Sequence, residues 1–199
     1  MQKHKRILFL GFRCSGKSTI SKEFGLKIGI NVFDTDKEIE REQNKTINEI
    51  SHNGQNWDKF RELEVKKLKE LLNIDNIIIS AGGGIGVNNI IFNNKYTFGD
   101  IQKQEILKNK DTLKILLWAD DDIIAERLKQ SKLVENDRPD LNGQTTNIEE
   151  YVANNLKIMH EREKNYREMA DIIFNTNNSN TDENVENLIY IINDKYGGV

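Results

Sequence analysis

Lys17 and Ser18 sit in the run Gly11-Phe12-Arg13-Cys14-Ser15-Gly16-Lys17-Ser18-Thr19, directly after the apolar stretch Ile7-Leu8-Phe9-Leu10. A strand that empties into GxxxxGK(S/T) and then into a helix is a cradle for a nucleotide's phosphate chain. Its glycines let the backbone turn several N–H groups inward, and the helix offers its positive end to the same anion. In such a loop the lysine reaches the β- and γ-phosphates and the hydroxyl after it ligates Mg²⁺. Gly11, Gly16, Lys17 and Ser18 are therefore expected to hold a nucleoside triphosphate, with Cys14, Ser15 and Thr19 in the same loop.

Four further features could grip a phosphoryl acceptor. Asp34-Thr35-Asp36 offers two carboxylates, one for Mg²⁺ and its water, the other for a hydroxyl that loses its proton as it attacks phosphorus. Taken alone, Asp36 reads equally well as a helix N-cap. Arg61 and Glu64 stand three residues apart, so a helix makes them neighbours; such a pair either lies on the solvated surface or holds a guanidinium ready for an anion. Gly82-Gly83-Gly84 follows Ile77-Ile78-Ile79-Ser80-Ala81 and would let a ligand approach bare backbone, or would simply be a flexible turn. Arg138-Pro139 could deliver a cation to the migrating phosphoryl group. Arg162 continues the apolar stripe of Ile148, Val152, Leu156 and Met159, where a guanidinium either snorkels past the helix end or meets an anion.

The elements that must position these groups are legible as alternating short apolar runs and longer helical patterns, the mark of parallel β/α units. Strands are expected at 7–10, 31–33, 77–80, 113–118 and 171–174. Helices are expected at 17–28, 36–43, 46–51, 57–72, 121–130 and 148–167, with a last one after Thr181, which should cap it. Ligands in an open parallel sheet gather at the C-terminal ends of the strands, where most of these features fall. Segment 86–111 reads as either a helix-containing excursion or a mobile loop. Segment 131–147, charged at both ends, suits a lid that closes over phosphates and excludes water.

The chain's 199 residues suit one domain, 1–199, with a core of its own. With 29 basic and 32 acidic residues, no strong field steers it toward nucleic acid or membrane, and a small diffusible ligand is favoured. One cysteine, Cys14, allows no internal disulfide, and the chain reads as reduced and cytoplasmic. No stretch approaches the length of a membrane span.

In this order, GFRCSGKST, Asp34-Thr35-Asp36, Phe60-Arg61 with Glu64, Gly82-Gly83-Gly84, Arg138-Pro139 and Arg162 followed by Tyr166 resemble the shikimate kinase family, within the nucleoside-monophosphate-kinase-like P-loop folds. The resemblance implies a three-layer α/β sandwich, a five-stranded parallel sheet flanked by helices, with a lid at about 131–147. It implies transfer of the ATP γ-phosphate to the 3-hydroxyl of shikimate, a step toward chorismate and the aromatic amino acids, by a monomer. Carried onto this chain, Asp36 binds the shikimate hydroxyls and is the candidate base, and Asp34 assists Mg²⁺ through water. Arg61 and Arg162 pair with the shikimate carboxylate, Glu64 holds Arg61, and the backbone of Gly82, Gly83 and Gly84 holds the ring. Lys17 and Arg138 stabilise the phosphoryl oxygens, and Arg127 lies over the adenine. Cys14 stands where the family usually has glycine. Rival readings are a related kinase for gluconate or a nucleoside monophosphate, and a sensor that binds shikimate and ATP without turnover.

Overall fold

The computed structural model describes residues 4–91, 96–134, 141, 145–178 and 180–197. In chain order they form β1 (Arg6–Leu10), α1 (Lys17–Ile28), β2 (Val32–Asp34), α2 (Thr35–Gln43), α3 (Ile47–Ile50), α4 (Asp58–Leu71) and β3 (Ile77–Ser80). There follow α5 (Phe98–Lys108), β4 (Thr112–Trp118), α6 (Asp121–Val134), α7 (Ile148–Met169), β5 (Ile172–Asn175) and α8 (Thr181–Tyr196). The strands make one parallel sheet in the order β2-β3-β1-β4-β5.

Alternation along each strand builds a core on both faces. Leu8 and Leu10 of β1 join Ile77 and Ile79 of β3 on one face, covered by α4 to α7 through Leu68, Ile106, Leu128 and Met159. Ile7 and Phe9 join Ile78, Leu113 and Ile115 on the other, covered by Phe24 of α1 and Leu188 of α8. A smaller cluster of Ile39, Ile50 and Phe60 ties α2 and α3 to α4. This is the expected sandwich, and the expected strands and helices stand with boundaries shifted by at most four residues.

Two local readings change and two open alternatives are decided. Helix α2 is capped by Asp34, whose Oδ1 accepts from the N–H groups of Asp36 at 3.2 Å and Lys37 at 3.4 Å, so Asp36 lies inside the first turn and is not the cap. Helix α8 is capped by Asn180, not Thr181, because the amide oxygen reaches Glu183 N at 3.2 Å. Segment 86–111 contains a true helix, α5, whose start is locked by the reciprocal Thr97 and Asp100 capping box. Helix α6 runs to Val134, so the first four residues of the expected lid are helical. Residues 135–140 and 142–144, including Arg138, Pro139 and Asp140, lie outside the described residues.

Candidate active site

Sheet register brings three strand ends into line. Phe9 pairs with Ser80, and Ser80 pairs with Asp34. The loop after β1, the glycines after β3 and the carboxylates after β2 therefore emerge side by side at the C-terminal edge, where a parallel sheet leaves its crevice. A cavity of about 440 Å³ opens there, and Lys17, Asp36, Arg61, Gly83, Arg127 and Arg162 all line it.

The donor end is mostly backbone. Gly11 has φ of +144°, and a Cβ there would sit 2.4 Å from the Leu117 carbonyl oxygen, so only glycine admits the turn. Gly16 takes φ of +91° at the head of α1. Cys14 is also left-handed, at φ of +62°, a conformation that a glycine would adopt at less cost. Lys17 Nζ donates to the Phe12 carbonyl at 2.7 Å, which holds the ammonium across the loop. Cys14, Gly16, Ser18 and Thr19 face the cavity, whereas Gly11 and Ser15 support the loop from behind. Ser15 accepts from the Thr176 hydroxyl at 3.1 Å through its carbonyl.

Ser18 Oγ donates to Asp34 Oδ2 at 2.9 Å, and Ser80 Oγ donates to the same oxygen at 3.2 Å. One carboxylate thus joins the phosphate loop, the end of β3 and the start of α2. The Ser18 hydroxyl and the Asp34 carboxylate are hard oxygen donors of the kind Mg²⁺ takes when phosphates and water supply the rest. On the far side Arg127 donates to the Thr176 carbonyl at 2.6 Å and to the Cys14 carbonyl at 3.3 Å, and burial pulls its pKa down.

The acceptor end is made of charged side chains set into the protein. Arg61 and Glu64 form an ion pair in the interior, with exposures of 4% and 0%, so the solvated-surface alternative is excluded. The guanidinium carbon also lies 5.0 Å from the Trp57 ring centre and 5.2 Å from that of Phe60. A Cβ on Gly82 would come within 2.3 Å of Asp36 Oδ1, and one on Gly84 within 2.5 Å of Arg61 Nη1. The triple glycine is thus the space in which the carboxylate and the guanidinium sit.

Arg162 meets this motif rather than snorkelling. Its Nη1 donates to the Gly83 carbonyl at 2.9 Å, and Tyr166 Oη donates to the same oxygen at 2.5 Å. Burial lowers the pKa of Arg162, with Arg61 and Arg13 nearby pushing the same way and Tyr166 opposing. Burial pushes the Tyr166 phenol up to about 12, so it stays a neutral donor.

Sequence reasoning missed Ser80, Trp57 and Thr176. Ser80 could have been suspected, as the last polar residue before the glycines on a strand end. Trp57 and Thr176 carry no spacing signal, since their partners are brought to them by folding.

A phosphate cradle at the edge of a five-stranded parallel sheet, facing a carboxylate and two guanidiniums, defines a P-loop phosphotransferase for a small molecule. The family model for shikimate kinase matches residues 13–193, and the chain belongs to the shikimate kinase family. It is 30% identical over 188 residues to the shikimate kinase of Sulfurihydrogenibium sp. (strain YO3AOP1), an alignment covering 93% of this chain and 96% of that protein. The match to the shikimate kinase of Aquifex aeolicus (strain VF5) is 38% over 84 residues and spans about half of that relative's length, 49%, and 42% of this chain. Among solved structures, shikimate kinase from Acinetobacter baumannii in complex with shikimate superposes with a TM-score of 0.76 at 23% identity, over 98% of this chain and 97% of that one. At that identity the likeness speaks to the fold.

Proposed function

We propose that the protein transfers the γ-phosphoryl group of ATP to the 3-hydroxyl of shikimate, giving shikimate 3-phosphate and ADP, as a single-domain monomer. The observation that supports this reading is the convergence on one cavity of a phosphate cradle with Asp36, Arg61 and Arg162. A small acid bearing several hydroxyls needs guanidinium for its carboxylate and a carboxylate for its hydroxyls.

Arg61, held by Glu64, and Arg162, held by the Gly83 carbonyl, grip the acceptor's carboxylate from groups that are already oriented. The ring then rests on the backbone at Gly82, Gly83 and Gly84. Asp36 takes the proton of the 3-hydroxyl as its oxygen bonds to phosphorus, and the bond from phosphorus to the ADP oxygen breaks. Lys17 stabilises the charge on the moving phosphoryl oxygens. Arg138, outside the described residues, is assigned the same task from the lid, and Arg127 lies against the base. Ser18, with Asp34 through water, would hold Mg²⁺, which when bound neutralises charge on the β- and γ-phosphate oxygens.

An assay of ADP release over shikimate, gluconate and nucleoside monophosphates tests this. Turnover is expected with shikimate alone. Turnover with gluconate but not shikimate would overturn the reading, and shikimate binding without ADP release would make the protein a sensor.

A further inference from the structure

The phosphate loop carries a cation that the donor chemistry leaves unused. Arg13 is the third residue of GFRCSGKST, a position where the cradle pattern accepts any side chain. It lines the cavity and is half-buried. Its backbone lies against the acceptor end, and its charge helps to lower the pKa of Arg162. A Cβ on Gly83 would approach Arg13 N to 3.3 Å, and the carbonyl of that same Gly83 accepts from Arg162. The ring of Phe12, its chain neighbour, lies 6.0 Å from the Arg162 guanidinium carbon. Its own Nη1 reaches Tyr151 Oη of α7 at 3.4 Å, a long contact with a neutral partner.

The three guanidiniums differ in how their charge is met. Arg61 has Glu64. Arg162 has a backbone carbonyl, and Arg13 has only the Tyr151 hydroxyl, with no carboxylate within ion-pair distance among the described residues. Arginines gathered around one cavity repel one another unless an anion joins them. Resting on the function proposed above, we infer that Arg13 is a third contact for the acceptor's carboxylate, supplied by the loop that binds the donor. The phosphate loop then takes part in choosing the acceptor: a diffusible acid is favoured over its uncharged analogues by a residue next to the ATP site.

The experiment compares steady-state kinetics of the wild type, Arg13→Ala, Arg13→Gln and Arg13→Lys with shikimate and with shikimamide, in which the carboxylate is a neutral amide. Arg13→Ala and Arg13→Gln should raise KM for shikimate about fivefold to tenfold, the effect of one partly solvated charge-assisted hydrogen bond, with kcat and KM for ATP unchanged. Arg13→Lys should recover most of the loss, and KM for shikimamide should be the same in all four proteins. An equal rise with the amide would mean a structural role only, and a rise in KM for ATP would mean a donor role; either result overturns the inference. So does an unchanged KM for shikimate in a working enzyme. Absence of wild-type turnover with shikimate would instead remove the function on which it rests.

Discussion

At the donor end the protein offers backbone N–H groups and short side chains beside Lys17 and Arg127, with Ser18 and Thr19 exposed to solvent, whereas at the acceptor end the polar groups are almost all long charged side chains sunk among apolar ones. The contrast follows from what each end must recognise. A polyphosphate carries the same charge whatever base it bears, so a generic positive cradle suffices. A small organic acid is distinguished by the relative places of its carboxylate and hydroxyls, so the recognising groups must be held still. Glu64 and the Gly83 carbonyl do that for Arg61 and Arg162. Damage at the donor end should therefore appear in the rate, and damage at the acceptor end in acceptor affinity and in stability.

The largest expected effect is at the donor end. Lys17→Ala should lower kcat about 100-fold to 1,000-fold, since it removes a charge that meets the phosphoryl oxygens in the transition state. Melting should be little changed, and KM for shikimate should stay within about twofold. A raised KM for shikimate with near-normal kcat would break the division between the two ends.

Arg61→Ala should raise KM for shikimate and also destabilise the fold by about 3 kcal/mol, because it strands the Glu64 carboxylate in the interior. Adding Glu64→Leu should restore much of the stability and none of the affinity, read by urea unfolding beside KM. If the second change restored both, Arg61 would be a structural cation.

Tyr166→Phe is milder. It removes one donor to the Gly83 carbonyl and leaves Arg162 on that oxygen, so KM for shikimate should rise about threefold while KM for ATP holds. Fluorescence titration of Trp57, which stacks on Arg61, gives an independent reading of acceptor affinity.

A contact outside the cavity provides the reference. His160 on α7 meets Asp121 at the start of α6 at 2.9 Å, and that hydrogen bond raises the imidazole pKa above its ordinary 6.5. Since the folded value is the higher one, the contribution is complete below about pH 6.5 and fades as pH rises through the raised value. With both side chains about half exposed it should be under about 1 kcal/mol. Melting curves of the wild type and His160→Gln should converge as pH rises, with KM for both substrates untouched.

Much of the fold was legible because its signals are local. Apolar runs, caps and the GxxxxGKS pattern lie within a few residues of one another, and they marked all five strands and the helices other than α5. The one misplaced cap was also local: it went to Thr181 instead of Asn180, and the cap left open at Asp36 belongs to Asp34, because adjacent polar residues compete for the same N–H groups. The site was legible as a set of residues but not as a set of contacts. Nothing in the spacing of Arg61 and Glu64 distinguishes a buried pair from a solvated one, and Asn-rich 86–111 hid α5 until its capping box was seen in place.

What the sequence determined by itself is the donor chemistry, since a cradle made of contiguous backbone needs only its own glycines, Lys17 and Ser18. What only the tertiary structure decided is which face of each helix is dry and which groups from distant strands share an oxygen. Arg162 and Gly83 are 79 residues apart, and burial, which turns a common surface pair into an oriented clamp, is a property of the packed chain alone.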